Sequence, residues 1–319
     1  MIKILSTLKL NSPLMICAWP GMGEVALKAA LNLKEILQFK EFAKLESPEY
    51  FEPSSVSIKN GVLELPSHIG GTFYCYKNPK RTNDIILFIS DMQPNMGSTI
   101  TYATEIIKFA ENQKVKMIYS FAAMSVPIDH AQDPKVWIAM TSRKLLQNFK
   151  GLNLKILNEG QVSGLNGLIL GIAKSRGIDG VCLLGEIPIY TIQIENPKAS
   201  LAVLEALEKN LRLGINLVPL RERARFVEEE INKLIGYIKG ETLPVGPLSE
   251  EDIEKIKKEL SAFTKLPESA RKKIEDLFKL AAEDLTRSTE LKKELDTWSV
   301  FKDYEDRFLD LFRKKKSGQ

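Results

Sequence analysis

Histidine and cysteine are scarce in this chain. Its 319 residues include two histidines, His68 and His130, and three cysteines, Cys17, Cys75 and Cys182. Two imidazoles leave almost no stock for His-based metal sites or for triads that need a His base, so no metal is expected. The cysteines stand far apart without a Cys-x-x-Cys pair, which excludes a disulfide framework and a zinc knuckle and fits a reducing cytoplasm. Long apolar runs are missing too. The early run from Leu14 to Trp19 has six residues, too few for a signal-peptide core or a membrane span, so neither targeting nor a membrane partner is expected. Neither sign of charge prevails. The 45 Lys and Arg against 41 Asp and Glu leave a net +4, too small to argue for nucleic acid.

What is present is enough apolar material for a core. Hydrophobic residues make up 44% and charged residues 27%, which excludes global disorder. At about 150 residues per domain, the length predicts two domains. Residues 1–220 hold 42 charged residues, whereas residues 221–319 hold 44 in less than half the length. Fifteen of the 19 glycines lie in the first part. This break predicts an α/β domain over 1–218 and a charged helical bundle or helical-hairpin extension over 219–319.

In the first part, β-prone runs at 14–17, 56–58, 72–76, 85–89, 115–119, 136–140, 154–157 and 181–184 alternate with helical patterns. The helical faces are Ala26, Ala30, Leu33 and Leu37; Ile100, Thr104, Ile107 and Ala110; Leu165, Leu168 and Ile172; and Leu201, Leu204, Leu207 and Leu211. Such alternation predicts a mostly parallel or mixed sheet with helices on both faces. Segment 42–77 lacks a long helix and predicts an antiparallel hairpin. In the second part, Ala224, Val227, Ile231, Leu234 and Ile238 form a narrow stripe that ends at Pro244-Val245-Gly246-Pro247. Ser249 and Asp252 read as a capping box before a helix carrying Ile253, Ile256, Leu260 and Phe263. Two more stripes follow, Ala270, Ile274, Leu277 and Ala281, then Leu291, Leu295 and Trp298 continuing to Tyr304, Phe308 and Leu311. They are too short for one long coiled coil and predict an all-α module.

Five turns carry candidate chemistry. Trp19-Pro20-Gly21-Met22-Gly23-Glu24-Val25-Ala26 has the letter pattern of a dinucleotide loop. However, Glu24 puts a carboxylate where a phosphate would sit, and no acidic strand end follows about 20 residues later, so a tight strand-to-helix turn is the plainer reading. Asp91 and Asn95 lie after the most hydrophobic strand, where open α/β sheets place ligands; the same side chains also suit turn capping. Glycines around Asn166 open a helix without the Lys-Ser or Lys-Thr of a Walker loop. Glu186 ends another strand and reads as a general acid or base, or as a carboxylate binding backbone amides. Glu195-Asn196-Pro197-Lys198 is only faintly similar to the Glu-x-Asn of ATP-grasp metal sites, its acid and amide being adjacent, and reads more plainly as the start of an ordinary helix. No nucleophile elbow, zincin motif or Cys-His pair occurs. Arg313 to Lys316 reads as a solvated tail.

Several segments together resemble the proteasome assembly chaperone family, in the branch named for the second chaperone subunit. They are Trp19-Pro20-Gly21-Met22-Gly23, Asp91-Met92-Gln93-Pro94, Phe121-Ala122-Ala123, Gly164-Leu165-Asn166-Gly167, Gly185-Glu186-Ile187-Pro188 and Asn196-Pro197-Lys198-Ala199-Ser200. Their order covers residues 8–217. The resemblance implies a domain similar to nucleoside phosphorylases in fold, used as an interaction scaffold, with self-association and proteasome subunits as partners. Relatives that dock on proteasomes often end in a hydrophobic residue, Tyr and any residue, whereas this sequence ends Lys316-Ser317-Gly318-Gln319. Two functions are therefore expected. One is a non-enzymatic, homo-oligomeric scaffold that needs no cofactor. The other is a small-molecule enzyme or binding protein whose pocket is lined by Gly21, Gly23, Glu24, Asp91, Asn166 and Glu186.

Overall fold

The computed structural model describes residues 2–51, 57–59, 61–64, 70–80, 82–239, 268–297 and 301–313. Val56, His68, the segment 244–263, Trp298 and the tail 314–319, which enter the sequence patterns above, lie outside the described residues. The chain divides into two compact units, Met1–Leu234 and Ile235–Gln319.

The first unit is built on β2 (Leu14–Ala18) and β7 (Ile85–Ile89), continuous apolar runs buried at every position. Strands of this kind need cover on both faces and so take the centre of a sheet. They pair in parallel, Leu14 opposite Ile85 and Ala18 opposite Ile89. Around them lie β1 (Ile2–Ile4), β3 (Lys40–Glu46), β6 (Gly70–Tyr76), β8 (Met117–Val126), β9 (Val136–Met140), β10 (Leu154–Ile156) and β11 (Asp179–Pro188). Their order is β1-β3-β6-β7-β2-β8-β11-β9-β10. The run from β7 through β2 and β8 to β11 is parallel, as is β9 with β10; the other pairs are antiparallel, giving a mixed sheet. Segment 42–77 is antiparallel as expected, and it also contains a separate hairpin of β4 (Ser57–Lys59) and β5 (Val62–Glu64).

Period-two alternation sends Ile16, Leu87, Tyr119 and Val181 to one face, beneath α1 (Val25–Ile36) and α4 (Pro197–Leu211). Met15, Phe88, Ile118 and Cys182 go to the other, beneath α2 (Thr99–Asn112) and α3 (Leu165–Ser175). Ala26, Ala30 and Leu33 are buried as their spacing predicts. Two expected core positions are not: Ile100 is 65% and Leu168 36% exposed. Ile107, Ala110 and Leu165 are buried as expected, and Tyr102, Ala103, Ile106, Ile169 and Ala173 join them, so the inward stripe on each helix is broader than its spacing showed. Asn196 starts α4 by accepting from the Ala199 N–H at 3.0 Å, with Pro197 in the first turn.

The composition change near 218 falls at the start of α5 (Val218–Lys239), whose Leu220 and Ala224 are buried within the first unit, whereas the two compact units divide at Leu234 and not at 218. In the second unit, α6 (Glu268–Glu283), α7 (Ser288–Thr297) and α8 (Phe301–Arg313) enclose Ile274, Leu277, Phe278, Ala281, Leu291, Leu295 and Phe308. Arg307 holds Glu275 through two bonds of 2.6 and 2.7 Å while lying 4.2 Å over the Phe278 ring.

Candidate functional site

Because β7, β2, β8 and β11 are parallel, their carboxyl ends share one edge of the sheet, where the turns after β2 and β7 meet the start of α3. The Asn166 amide bonds the Trp19 backbone at both ends. Its Oδ1 accepts from the Trp19 N–H at 3.0 Å and its Nδ2 donates to the Trp19 carbonyl at 3.0 Å. Gln93 makes the neighbouring bridge, donating to the Pro20 carbonyl at 2.7 Å and accepting from the Leu165 N–H at 3.3 Å. Gly21 belongs to this cluster, since a Cβ there would lie 3.5 Å from Asn166 Nδ2.

Gly23 and Glu24 stand against the start of α4. Gly23 donates to the Ile192 carbonyl at 2.7 Å and accepts from the Asn196 N–H at 2.8 Å. Its φ is +59°, and a Cβ added there would lie only 3.2 Å from Asn196 Cβ, so glycine is the fitting residue. Glu24 is also left-handed, with φ +50°. Its carboxylate lies 3.3 Å from Lys28, which lies equally close to Glu195. The acidic residue at the mouth of the glycine turn thus joins an ion cluster instead of leaving an anion cradle.

Glu186 is buried at 6% exposure and occupied at both oxygens. Oε2 accepts from the Lys135 N–H at 2.9 Å and Oε1 from the Trp137 indole N–H at 2.8 Å. Asp91 is exposed. The structure therefore brings Gly21 to Asn166, sets Gly23 and Glu24 beside Asn196 and Glu195, and ties Glu186 to the β9 strand. Asn95 accepts from the Ser98 N–H at 2.9 Å, the capping role that its sequence position allows.

The sequence pattern points to Asp91, but the working side chain of that turn is Gln93, two residues on. Its partners Pro20 and Leu165 are remote in sequence, so no local pattern reveals it. A second network is equally invisible in the sequence. His130 Nδ1 lies 2.8 Å from the Tyr190 hydroxyl, His130 Nε2 lies 2.8 Å from Asn232 Oδ1, and the Tyr190 oxygen accepts from the His130 N–H. The Tyr190 hydroxyl thus meets both the backbone N–H and the ring Nδ1 of His130.

Burial pushes all three thiols up, Cys75 to about 11, Cys182 to about 12 and Cys17 further. None is a poised nucleophile. Among the described residues, no group of three or more His, Cys, Asp and Glu is placed to hold a metal ion. No described helix is long and apolar enough to cross a membrane.

Comparison with known proteins agrees with this architecture. An uncharacterized protein of Methanocaldococcus jannaschii, MJ1210, is 31% identical over 252 residues, covering 77% of this chain and 93% of its own length. The crystal structure of Pyrococcus furiosus PbaB, described as an archaeal proteasome activator, is 31% identical with a TM-score of 0.64, over 73% of this chain and 98% of that one. Pyrococcus furiosus PbaA, described as an archaeal homolog of proteasome-assembly chaperone, shares the fold at 23% identity and a TM-score of 0.60, over 82% of this chain and 98% of that one. The model of the PAC2 family matches residues 15–235, from the central strand β2 to the boundary of the first unit. This chain belongs to the PAC2 family.

Proposed function

We propose that this chain is a non-enzymatic, assembly-chaperone-like scaffold that self-associates and holds a protein partner in a reducing cytoplasm, the partner being proteasome subunits. The observation that carries this reading is how the polar groups at the sheet edge are used. Asn166 is spent on the Trp19 backbone and Glu186 on Lys135 and Trp137. A small-molecule site needs a few convergent polar groups free to meet a ligand, and here they bond the fold to itself. The description of PbaB, a family relative, as a proteasome activator favours the proteasome as partner class. The charged helices α6–α8 present the partner surface in this reading, with Leu309 and Phe312 exposed on α8 at 42% and 43%.

The test is the light-scattering mass of the intact chain at two concentrations, beside a pull-down of proteasome α subunits from its own source. A defined oligomer that retains α subunits is expected. A monomer that retains none would overturn the reading, and an oligomer that ignores them would overturn the partner class.

A further inference from the structure

Along α3 the first unit carries an open, mainly apolar groove of about 770 Å³, bordered by Ile100, Met140, Leu168, Gly171 and Lys174. Beside it stands a ridge that the fold leaves uncovered, with Met96 89% and Ile100 65% exposed. A knob next to an empty hole of like chemistry is a self-complementary surface, the kind that a two-fold interface requires.

Two features identify the occupant. Gly171 sits inside α3, where glycine is destabilising relative to alanine, and a Cβ there would meet nothing within 4 Å. Gly167, by contrast, is required by its own fold, since a Cβ would lie 2.2 Å from the Val162 carbonyl oxygen. The described residues of the protomer give no reason for glycine at 171; a backbone packed closely against α3 does. The second feature is charge. Lys174 lies near the carboxyl end of α3, and at the amino end the turn fastened to Leu165 by Gln93 carries the exposed Asp91. A second α3 running antiparallel would set each Lys174 toward the other copy's Asp91 and oppose the two helix dipoles favourably.

We propose that this groove is the contact surface between two copies of the chain, packed about a two-fold axis with the α3 helices antiparallel and each Met96–Ile100 ridge seated in the other's groove. The proposal rests on the self-association read above and specifies where it occurs.

The test uses the full chain in analytical ultracentrifugation, with Leu168→Glu, Gly171→Leu and the charge reversals Lys174→Asp and Asp91→Lys. The first two should weaken association about tenfold or more, with circular dichroism and the melting midpoint confirming a folded protomer. Each charge reversal should weaken it several-fold, and the double reversal should restore it. Leu168→Cys, near the axis, should form a disulfide-linked dimer under mild oxidation, because the native cysteines are buried. A wild-type oligomer unaffected by all of these, with no cross-link, would overturn the groove assignment and leave self-association standing. A wild-type monomer at every concentration would overturn both, and loss of α-subunit capture in Leu168→Glu with that monomer would give the groove to a different protein. Should Leu168→Glu fail to fold, the charge pair decides by itself.

Discussion

The side-chain amide of Asn166 closes on both backbone groups of Trp19, a residue 147 positions away. It completes, from the first turn of α3, the hydrogen bonding that β2 loses where it leaves the sheet. Asn166→Ala should leave a buried donor and acceptor without partners, at a cost of roughly 2–4 kcal/mol. Urea unfolding followed by fluorescence measures this. A loss below about 0.5 kcal/mol, the size of a neutral surface change, would show that the clasp is incidental.

Gly70 begins β6 with φ +145°, and a Cβ there would lie 1.8 Å from the Leu45 carbonyl oxygen. Gly70→Ala should therefore force β3 and β6 apart and lower the melting midpoint strongly, whereas Gly177→Ala, in open space, should show only the strain of its own positive φ. Comparing the two midpoints separates steric from conformational loss.

The thiols set the response to alkaline conditions. In the unfolded chain they lose protons near pH 8.5, while in the folded chain Cys75 and Cys182 hold theirs to about 11 and 12. The unfolded state thus sheds protons that the native state keeps, and stability should be full below about pH 8.5 and fall as pH rises through that window. Ellman titration at pH 8 should label none of the three quickly in native protein and all three in denaturant. Rapid native labelling of Cys75 would contradict its burial.

Tyr190→Phe removes a hydroxyl that accepts from the His130 N–H and also hydrogen-bonds His130 Nδ1. Because His130 also reaches Asn232 on α5, the damage should spread. Hydrogen exchange should rise at 128–131 and in the α5 stretch around 228–234, with a stability loss of about 1–3 kcal/mol.

In the proposed function the exposed apolar pair on α8, Leu309 and Phe312, bears on the partner and not on self-association. Leu309→Ser with Phe312→Ser should reduce retention of α subunits while leaving the light-scattering mass unchanged. A change in mass with retention intact would assign those side chains to subunit contact instead.

Much of the fold was legible because burial is written in local composition. The unbroken runs of β2 and β7 read as strands, and the charge-rich sequence after residue 220 read as helical, as α5 to α8 are. The order of strands was not legible, since β2 takes neighbours from residues 85–89 and 117–126 that no local pattern names. Helix faces were legible within about one position, and the error fell on Ile100 and Leu168 because apolar spacing does not distinguish a core from an uncovered surface. At the site, Glu186 was rightly readable as a carboxylate for backbone amides, but Gln93 and the Asn166 clasp depend on contacts made only after folding.

The position of β2 between β7 and β8 also has a kinetic meaning. The second strand to leave the ribosome has both of its permanent neighbours encoded later, so one edge stays open until Ile89 has emerged and the other until Val126 has. At about 5–20 residues per second that is on the order of ten seconds. During synthesis, the most apolar strand near the start of this chain is therefore its longest-exposed sticky segment. A nascent chain halted before β8 should be held by holdase chaperones, and one halted after β11 should be released.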